Sequence, residues 1–167
     1  LNEVAAVADN TSKYFQASGS ADSDAGAYVE GDNATAAGEA TNAIGNGASA
    51  FGSGANAYAE NATAVGFNAV STGANAVALG ASSQATGEYA VAVGSESEAS
   101  GYLSTATGGG SVDSGDGSAA SGALSEASGE ESTANGFFST ASGDASTALG
   151  AESTASGIES TATGFLS

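Results

Sequence analysis

Residues 73–94 read GANAVALGASSQATGEYAVAVG, and this stretch decides the fold. Glycine recurs in it every seven residues. Extended over the chain from Gly31 to Gly164, the same step meets glycine in nineteen of twenty slots, with Ala59 as the exception. A fixed short period is typical of solenoid proteins, in which each repeat packs mainly against its two neighbours.

The two half-periods differ, so the repeat unit is 14 residues long. In one half, small residues alternate with larger ones, as in Ala76-Val77-Ala78-Leu79, and this period of two predicts a β-strand. The other half carries a second, shorter alternation with a polar residue beside an alanine, as in Gln84-Ala85. A coiled coil is excluded, because its heptads need large apolar residues at two positions and each glycine weakens a helix by about 1 kcal/mol.

The composition excludes a bulky core. The 167 residues weigh only 15.5 kDa, with 26 glycines, no proline and 7% aromatic residues, so the interior must be lined by alanine and serine. We therefore predict an all-β, parallel β-solenoid (β-roll) of flat coils with two strands each. Glycines mark the corners, where they permit positive φ and close backbone approach. Ten coils stack to about 48 Å.

The charge balance and the missing residue types exclude several classes of function. Nineteen acids against one base, Lys13, give a formal net charge of −18, which excludes nucleic acid as an expected partner. The sequence has no histidine, cysteine or arginine, and it therefore lacks an imidazole base, a thiolate nucleophile and a zinc site. Adjacent acids such as Glu130 and Glu131 on a convex rod are poor candidates for glycoside hydrolysis. We predict a non-enzymatic protein without catalytic residues, metal or cofactor.

An apolar row is predicted on the outside of the first strand of successive coils. Such a row needs a cover, and cyclic self-association is the simplest one. Two aromatic residues at a corner of a later coil are expected at the same subunit seam, although an exposed aromatic binding ridge is the alternative. The predicted interface residues are Phe51, Val65, Val77, Leu79, Val91, Val93, Leu149, Phe137 and Phe138.

The first residues depart from the period. Residues 1–12 have a helical spacing of apolar side chains and are interpreted as a connector or the end of a preceding segment, and residues 13–167 form the repeat domain. Tyr14 and Phe15 are expected to cap the open end of the solenoid.

The segment 108–117 is rich in glycine and aspartate, like the calcium loops of nonapeptide β-rolls. Those loops recur every nine residues, whereas this one occurs once on a 14-residue grid, so we expect no calcium site from Asp113 and Asp116. Asp113 falls in a slot that other coils fill with alanine or serine, and a local distortion is expected there.

Three units of the chain resemble the head repeat N-S-V-A-I-G-x-x-S of YadA-like trimeric autotransporter adhesins. They are residues 61–66, 75–83 and 89–97, and Lys13-Tyr14-Phe15 is similar to the start of such heads. The resemblance implies a left-handed roll, a parallel homotrimer and exposure at the surface of a Gram-negative bacterium. It also implies attachment to the outer membrane only through a C-terminal anchor that this sequence lacks.

The same resemblance implies adhesion to host cells or extracellular matrix, with collagen or fibronectin as partners. The candidate matrix-binding residues in the three units are Asn61, Val65, Asn75, Val77, Leu79, Ser83, Tyr89, Val91, Val93 and Ser97. Two alternatives stay open. The chain is a spacer that projects a distal binding tip, or it is an ice-binding solenoid that uses Thr105, Thr107, Thr161 and Thr163.

Overall fold

The computed structural model describes residues 25–167, which form twenty short strands in two ten-stranded parallel sheets. The expected connector at residues 1–12 and the expected cap at Tyr14 and Phe15 lie outside the described residues. Each coil contributes one strand to each sheet, and strands of neighbouring coils pair in a register of 14 residues, as in Val77 with Val91 and Val91 with Thr105. The predicted parallel β-solenoid of 14-residue, two-strand coils is confirmed.

Sheet 1 contains the odd-numbered strands, which are two residues long. They are β1 (Tyr28–Val29), β3 (Asn42–Ala43), β5 (Asn56–Ala57), β7 (Val70–Ser71), β9 (Gln84–Ala85), β11 (Glu98–Ala99), β13 (Val112–Asp113), β15 (Glu126–Ala127), β17 (Thr140–Ala141) and β19 (Thr154–Ala155).

Sheet 2 contains the even-numbered strands, which are three residues long. They are β2 (Thr35–Ala37), β4 (Ser49–Phe51), β6 (Thr63–Val65), β8 (Val77–Leu79), β10 (Val91–Val93), β12 (Thr105–Thr107), β14 (Ala119–Ser121), β16 (Thr133–Asn135), β18 (Thr147–Leu149) and β20 (Thr161–Thr163).

The core between the sheets is made of small side chains. The middle residue of the sheet 2 strands is alanine, as in Ala78 and Ala92, and it faces the alanine of the sheet 1 strands, as in Ala85 and Ala99, all fully buried. Thr41 and Asp113 are the largest fully buried side chains among the described residues. Such a thin interior leaves the larger side chains on the outer faces and corners, where any function must lie.

Glycine fills the corners for two different reasons. The glycine after each sheet 2 strand has a positive φ, for example 140° at Gly80 and 137° at Gly94, which disfavours other residues. The glycines that follow the sheet 1 strands, such as Gly101, have no positive φ. A Cβ atom there would lie 2.6 Å from the carbonyl carbon of Gly115 in the next coil. The first set of glycines adopts a backbone conformation that other residues disfavour, and the second set allows the backbones of successive coils to approach closely.

The turns contain a second regular feature that the glycine period does not reveal. The residue two positions after each corner position of the seven-residue period has a left-handed backbone conformation, and we call its position the left-handed slot. In sixteen corners this residue is not glycine. The φ values of these sixteen residues lie between 52° and 59°, as at Ala40 and Asn75. The side chains at these left-handed slots point away from the core, and most of them are exposed. Sixteen of the corners therefore display an exposed side chain at this slot.

Asp113 does not distort the roll. Its strand β13 pairs in regular parallel register with β11 and β15, with Asp113 opposite Ala99 on one side and Ala127 on the other. The expected local distortion is therefore wrong. The carboxylate is accommodated because it finds hydrogen-bond donors inside the roll, from the Ser118 hydroxyl and the Thr105 amide.

Candidate interaction surfaces

The outer face of sheet 2 carries the predicted apolar row. Phe51, Val65, Leu79 and Val93 are directly paired from strand to strand, so they form one continuous column up the sheet. Val77 and Val91 form a parallel column beside it. The structure therefore brings six of these seven strand residues together, and we call these six the apolar stripe.

Side chains of the apolar stripe are open to solvent in the single chain. Phe51 is 40% exposed and Leu79 is 44% exposed, and the four valines are half-buried. Leu149 is 41% exposed but does not join them, since Thr107, Ser121 and Asn135 separate it from Val93 in the same column. A contiguous exposed apolar surface on a sheet is typical of an interface.

Phe137 and Phe138 lie at the corner that follows β16, beside the face of sheet 2 and not on it. The two rings contact each other edge to face, with centroids 4.7 Å apart, and each is about half exposed. Together with Glu152 and Leu166 of the two following coils they line a cleft of about 490 Å³. Their assignment to a subunit seam stays a prediction.

The candidate matrix-binding residues divide into three environments. Asn61, Asn75 and Tyr89 share the left-handed slot before three successive strands of sheet 2, with φ of 54°, 59° and 59°, and all three are exposed. The Asn61 side-chain amide donates to the Asn75 Oδ1 at 3.1 Å, which orders this corner. The valines and Leu79 of the same units belong to the apolar stripe.

The third environment is the interior. Ser83 and Ser97 are fully buried, and their hydroxyls donate to the carbonyl oxygens of Gly80 and Gly94 at 2.9 Å each. Because these hydroxyls close the corner turn from inside, a ligand on the surface does not reach them. The three units thus offer two surfaces, the corner at Asn61, Asn75 and Tyr89 and their part of the apolar stripe.

Acidic side chains line the same corner, beside Tyr89 and in later coils. Glu88, Asp116, Glu130, Glu131, Asp144 and Glu159 are all exposed there. Two of these aspartates also brace the backbone: Asp116 Oδ1 accepts from the Tyr102 amide at 2.8 Å, and Asp144 Oδ1 accepts from the Glu130 amide at 3.1 Å. This corner combines a structural role with a strongly negative surface.

Asp113 and Asp116 are not brought together as a pair of cation ligands. Asp113 is fully buried and bonded to Ser118 and Thr105, whereas Asp116 is exposed and bonded to Tyr102. Burial raises the pKa of the Asp113 carboxyl, and the hydrogen bonds from Ser118, Thr105 and Ala120 oppose this shift. Over residues 25–167, no cluster of three or more acidic, histidine or cysteine side chains is arranged to hold a metal ion.

The threonines of the ice-binding alternative lie on the outer face of sheet 2. Thr105 and Thr107 are on β12, and Thr161 and Thr163 are on β20. Three strands stand between these pairs, and they present residues such as Ala119, Asn135 and Leu149. A regular threonine array is therefore interrupted.

Sequence reasoning missed the left-handed slots. Their signal was present, since asparagine and glycine, the residues that best tolerate this conformation, occur in the slot at Asn33, Gly47, Asn61 and Gly117. It also missed the edge-to-face contact of Tyr89 with Tyr102, whose ring centroids are 6.0 Å apart at the acidic corner.

Residues 25–167 contain no helix with the length and apolar character needed to cross a membrane. The strands, the alanine interior and the 14-residue register define the chain as a parallel β-solenoid repeat protein.

Within that class the family is shown by the comparison with family models. The YadA head domain repeat matches residues 30–55, 43–69, 71–97, 114–139 and 141–167, and the chain belongs to this family. The resemblance found in the sequence is thus confirmed. No curated protein sequence matches the chain significantly. The matched segments skip residues 98–113, the part of the roll that contains Asp113.

The family gives the coarse function. YadA head domains are typical of trimeric autotransporter adhesins, which are surface-exposed proteins and not enzymes. Such domains in general form trimers and bind host matrix.

Proposed function

We propose that this chain is the head of a cell-surface adhesin that attaches a Gram-negative bacterium to host extracellular matrix or host cells without catalysis. The observation that carries the proposal is the YadA head repeat across residues 30–167. The shape of the roll supports the proposal, because its large side chains lie on the outer faces and corners, where a large partner can reach them.

The working unit in this proposal is a parallel homotrimer of left-handed rolls. The apolar stripe supports it, because six adjacent apolar side chains on one sheet face lose water contact when a second copy covers them. At about 25 cal/mol per Å² of buried apolar area, covering this stripe stabilises the assembly by several kcal/mol. Leu149 extends the predicted interface towards later coils, whereas Phe137 and Phe138 lie at the adjoining corner, where the alternative of an exposed aromatic binding ridge is open.

The matrix contact is proposed at the corner that displays Asn61, Asn75 and Tyr89. These residues belong to the units that match the family repeat, and their exposure supports the assignment. A rod with net charge −18 favours partners with lysine- and arginine-bearing patches, and salt weakens that attraction. Collagen and fibronectin are the proposed partners.

The test is a binding assay of the full chain on immobilised collagen and fibronectin, repeated at low and high salt. We expect binding that weakens as salt rises, and a loss when Asn75 and Tyr89 are both changed to alanine. Leu103→Ala is the matched control, since Leu103 occupies the same left-handed slot one coil after Tyr89 and is 51% exposed.

The spacer alternative gives a different result in this assay. A passive spacer binds neither protein at any salt concentration, although it is folded and assembled. Unchanged binding in the Asn75 and Tyr89 double variant would place the contact elsewhere on the rod.

A further inference from the structure

The corner that follows the sheet 2 strands changes character along the roll. Its left-handed slot holds small or polar residues in the earlier coils and large apolar residues, with one acid, in the later coils. Along the chain the slot is occupied by Ala40, Gly54, Asn68, Ser82, Glu96, Gly110, Leu124, Phe138, Glu152 and Leu166.

The last three of these residues shape the cleft described above. Phe138 and Leu166 are its walls, and Glu152 stands in the coil between them. Ladder hydrogen bonds hold these coils at their spacing, from the Glu152 amide to the Phe137 carbonyl at 2.8 Å and from the Leu166 amide to the Ala151 carbonyl at 3.2 Å. Two coil steps separate the walls by about 9.6 Å. The Glu152 side chain lies at the level between the two walls and lines the same open cleft.

The packing of the two phenylalanines fixes one wall. Phe137 contacts Phe138 edge to face at 4.7 Å, which limits the rotation of both rings although each is half exposed. Leu166 on the other side is 64% exposed. The cleft is therefore an ordered apolar slot that is open to solvent.

The charge in the slot is not neutralised by the roll itself. Glu152 is exposed between apolar walls. Residues 25–167 contain no lysine, arginine or histidine to pair with it, because Lys13 is the only base among 167 residues. A cation for Glu152 must therefore come largely from another molecule. Lysine and arginine side chains suit such a slot, since their aliphatic stems cover apolar surface and their charged heads pair with carboxylates or aromatic faces.

We propose that the cleft formed by Phe137, Phe138, Glu152 and Leu166 receives a lysine or arginine side chain of a basic peptide segment in the adhesin's partner. The inference rests on the proposed adhesin function and deepens it, since it names a second contact site and the chemistry of its ligand. The charge argues for this occupant over a second copy of the chain, which offers Lys13 alone.

The test uses the full chain and a fluorescein-labelled peptide of alternating lysine and glycine, followed by fluorescence anisotropy at low salt. Glu152→Gln and Phe138→Ala are each expected to weaken binding about fivefold, which is the scale of an exposed ion pair or cation–π contact. The same peptide with acetylated lysines keeps its stems and loses its charges, and we expect it not to bind.

Glu96→Gln is the matched control. Glu96 occupies the same left-handed slot four coils earlier, but its neighbours in that column are Ser82 and Gly110 in place of Phe138 and Leu166. A general attraction between a basic peptide and an acidic rod lowers binding equally in Glu96→Gln and Glu152→Gln. That result would overturn the proposal, and a loss confined to Glu152→Gln supports it.

Light scattering on the same variants separates this site from a subunit seam. An unchanged mass for Phe138→Ala and Glu152→Gln supports an open binding cleft, whereas dissociation of the assembly would overturn it. Collagen and fibronectin binding is measured in parallel. If the wild-type chain binds matrix proteins but the lysine peptide shows no loss in Glu152→Gln, the cleft proposal fails and the adhesin proposal stands.

Discussion

The hydroxyl of Ser118 donates a hydrogen bond to Asp113 Oδ1 across the interior of the roll. Asp113 Oδ2 accepts a second bond from the Thr105 amide, at 2.7 Å, in the coil before. One buried carboxylate therefore links both sheets and two coils. In the other strands from β3 to β19 this slot holds alanine, as at Ala99 and Ala127, or Ser71, whose hydroxyl donates a single bond to the Ala76 carbonyl at 3.0 Å.

Asp113→Ala is expected to stabilise the roll at neutral pH by about 1 kcal/mol, because it removes a buried ionisable group. Its partners keep other bonds: the Ser118 hydroxyl also donates to the Gly115 carbonyl at 2.6 Å, and the Thr105 amide to the Ser118 carbonyl at 3.1 Å. Thermal unfolding followed by circular dichroism measures the difference, which corresponds to about 2–4 °C.

The stabilisation should depend on pH with a definite sign. Burial raises the pKa of Asp113 above that of an unfolded aspartate, about 3.9, so the folded state binds the proton more tightly. The carboxyl therefore favours folding below about pH 3.9, and that contribution is lost as pH rises through the folded pKa. The variant should exceed the wild type at pH 7 and converge with it near pH 3.5. A gap that widens on acidification would contradict this reasoning.

Much of the fold was predictable because its constraints repeat. A single stretch such as residues 73–94 shows the strand alternation, the corner glycines and the alanine interior, and the other coils repeat the same scheme. The expected distortion at Asp113 was wrong because the period describes only side-chain size. It does not show that Ser118 and Thr105 place donors where a carboxylate can use them.

The surfaces were less predictable than the fold. The alternation identified the column from Phe51 to Val93, since strand residues of one parity share a face. The cleft at Phe138 and Leu166 depends on left-handed slots in two coils that are 28 residues apart in sequence, and only the coil geometry brings these slots to one edge. The burial of Ser83 likewise follows from corner geometry that a motif match does not contain.

Ser132 and Ser139 are buried at opposite corners and differ in the hydrogen bonding of their hydroxyls, which leads to a prediction about Ser132. The Ser132 hydroxyl is buried without a hydrogen-bond partner in the described part of the chain, and earlier coils place alanine in its slot, as at Ala62 and Ala76. Ser132→Ala should therefore stabilise the roll by about 1 kcal/mol, because it removes an unsatisfied polar group. Chemical denaturation measures the change in the free energy of unfolding.

Ser139→Ala is the matched control for that variant, at the opposite corner. Its hydroxyl donates to the Gly136 carbonyl at 2.9 Å, so its loss should destabilise the roll by about 1 kcal/mol. Destabilisation by both Ser132→Ala and Ser139→Ala would show that the hydroxyl of Ser132 finds a partner in solution.

Close approach between coils predicts different effects on stability when two glycines of one coil are changed to alanine. In Gly101→Ala the new Cβ meets the Gly115 carbonyl, and we expect destabilisation by about 2–3 kcal/mol through overpacking. Gly109 is exposed, and a Cβ there has Ser95 O as its nearest neighbour at 3.8 Å. Gly109→Ala should therefore stay within about 0.5 kcal/mol of the wild type. Equal stability of these variants in thermal unfolding would refute a role for close approach.

The apolar stripe predicts how assembly responds to charge. Leu79→Asp combined with Val93→Asp places two carboxylates in the centre of the stripe, where Leu79 pairs directly with Val93. Covering them requires the burial of like charges, so the assembly should dissociate. The mass measured by light scattering at neutral pH should then fall from three times the chain mass of 15.5 kDa to the mass of one chain.

Val70→Asp combined with Val112→Asp is the control, because these half-buried valines occupy the outer face of sheet 1. If both double variants keep the wild-type mass, the stripe is not the interface; if both dissociate, the effect is one of net charge. Only a loss confined to the Leu79 and Val93 variant identifies the outer face of sheet 2 as the subunit contact.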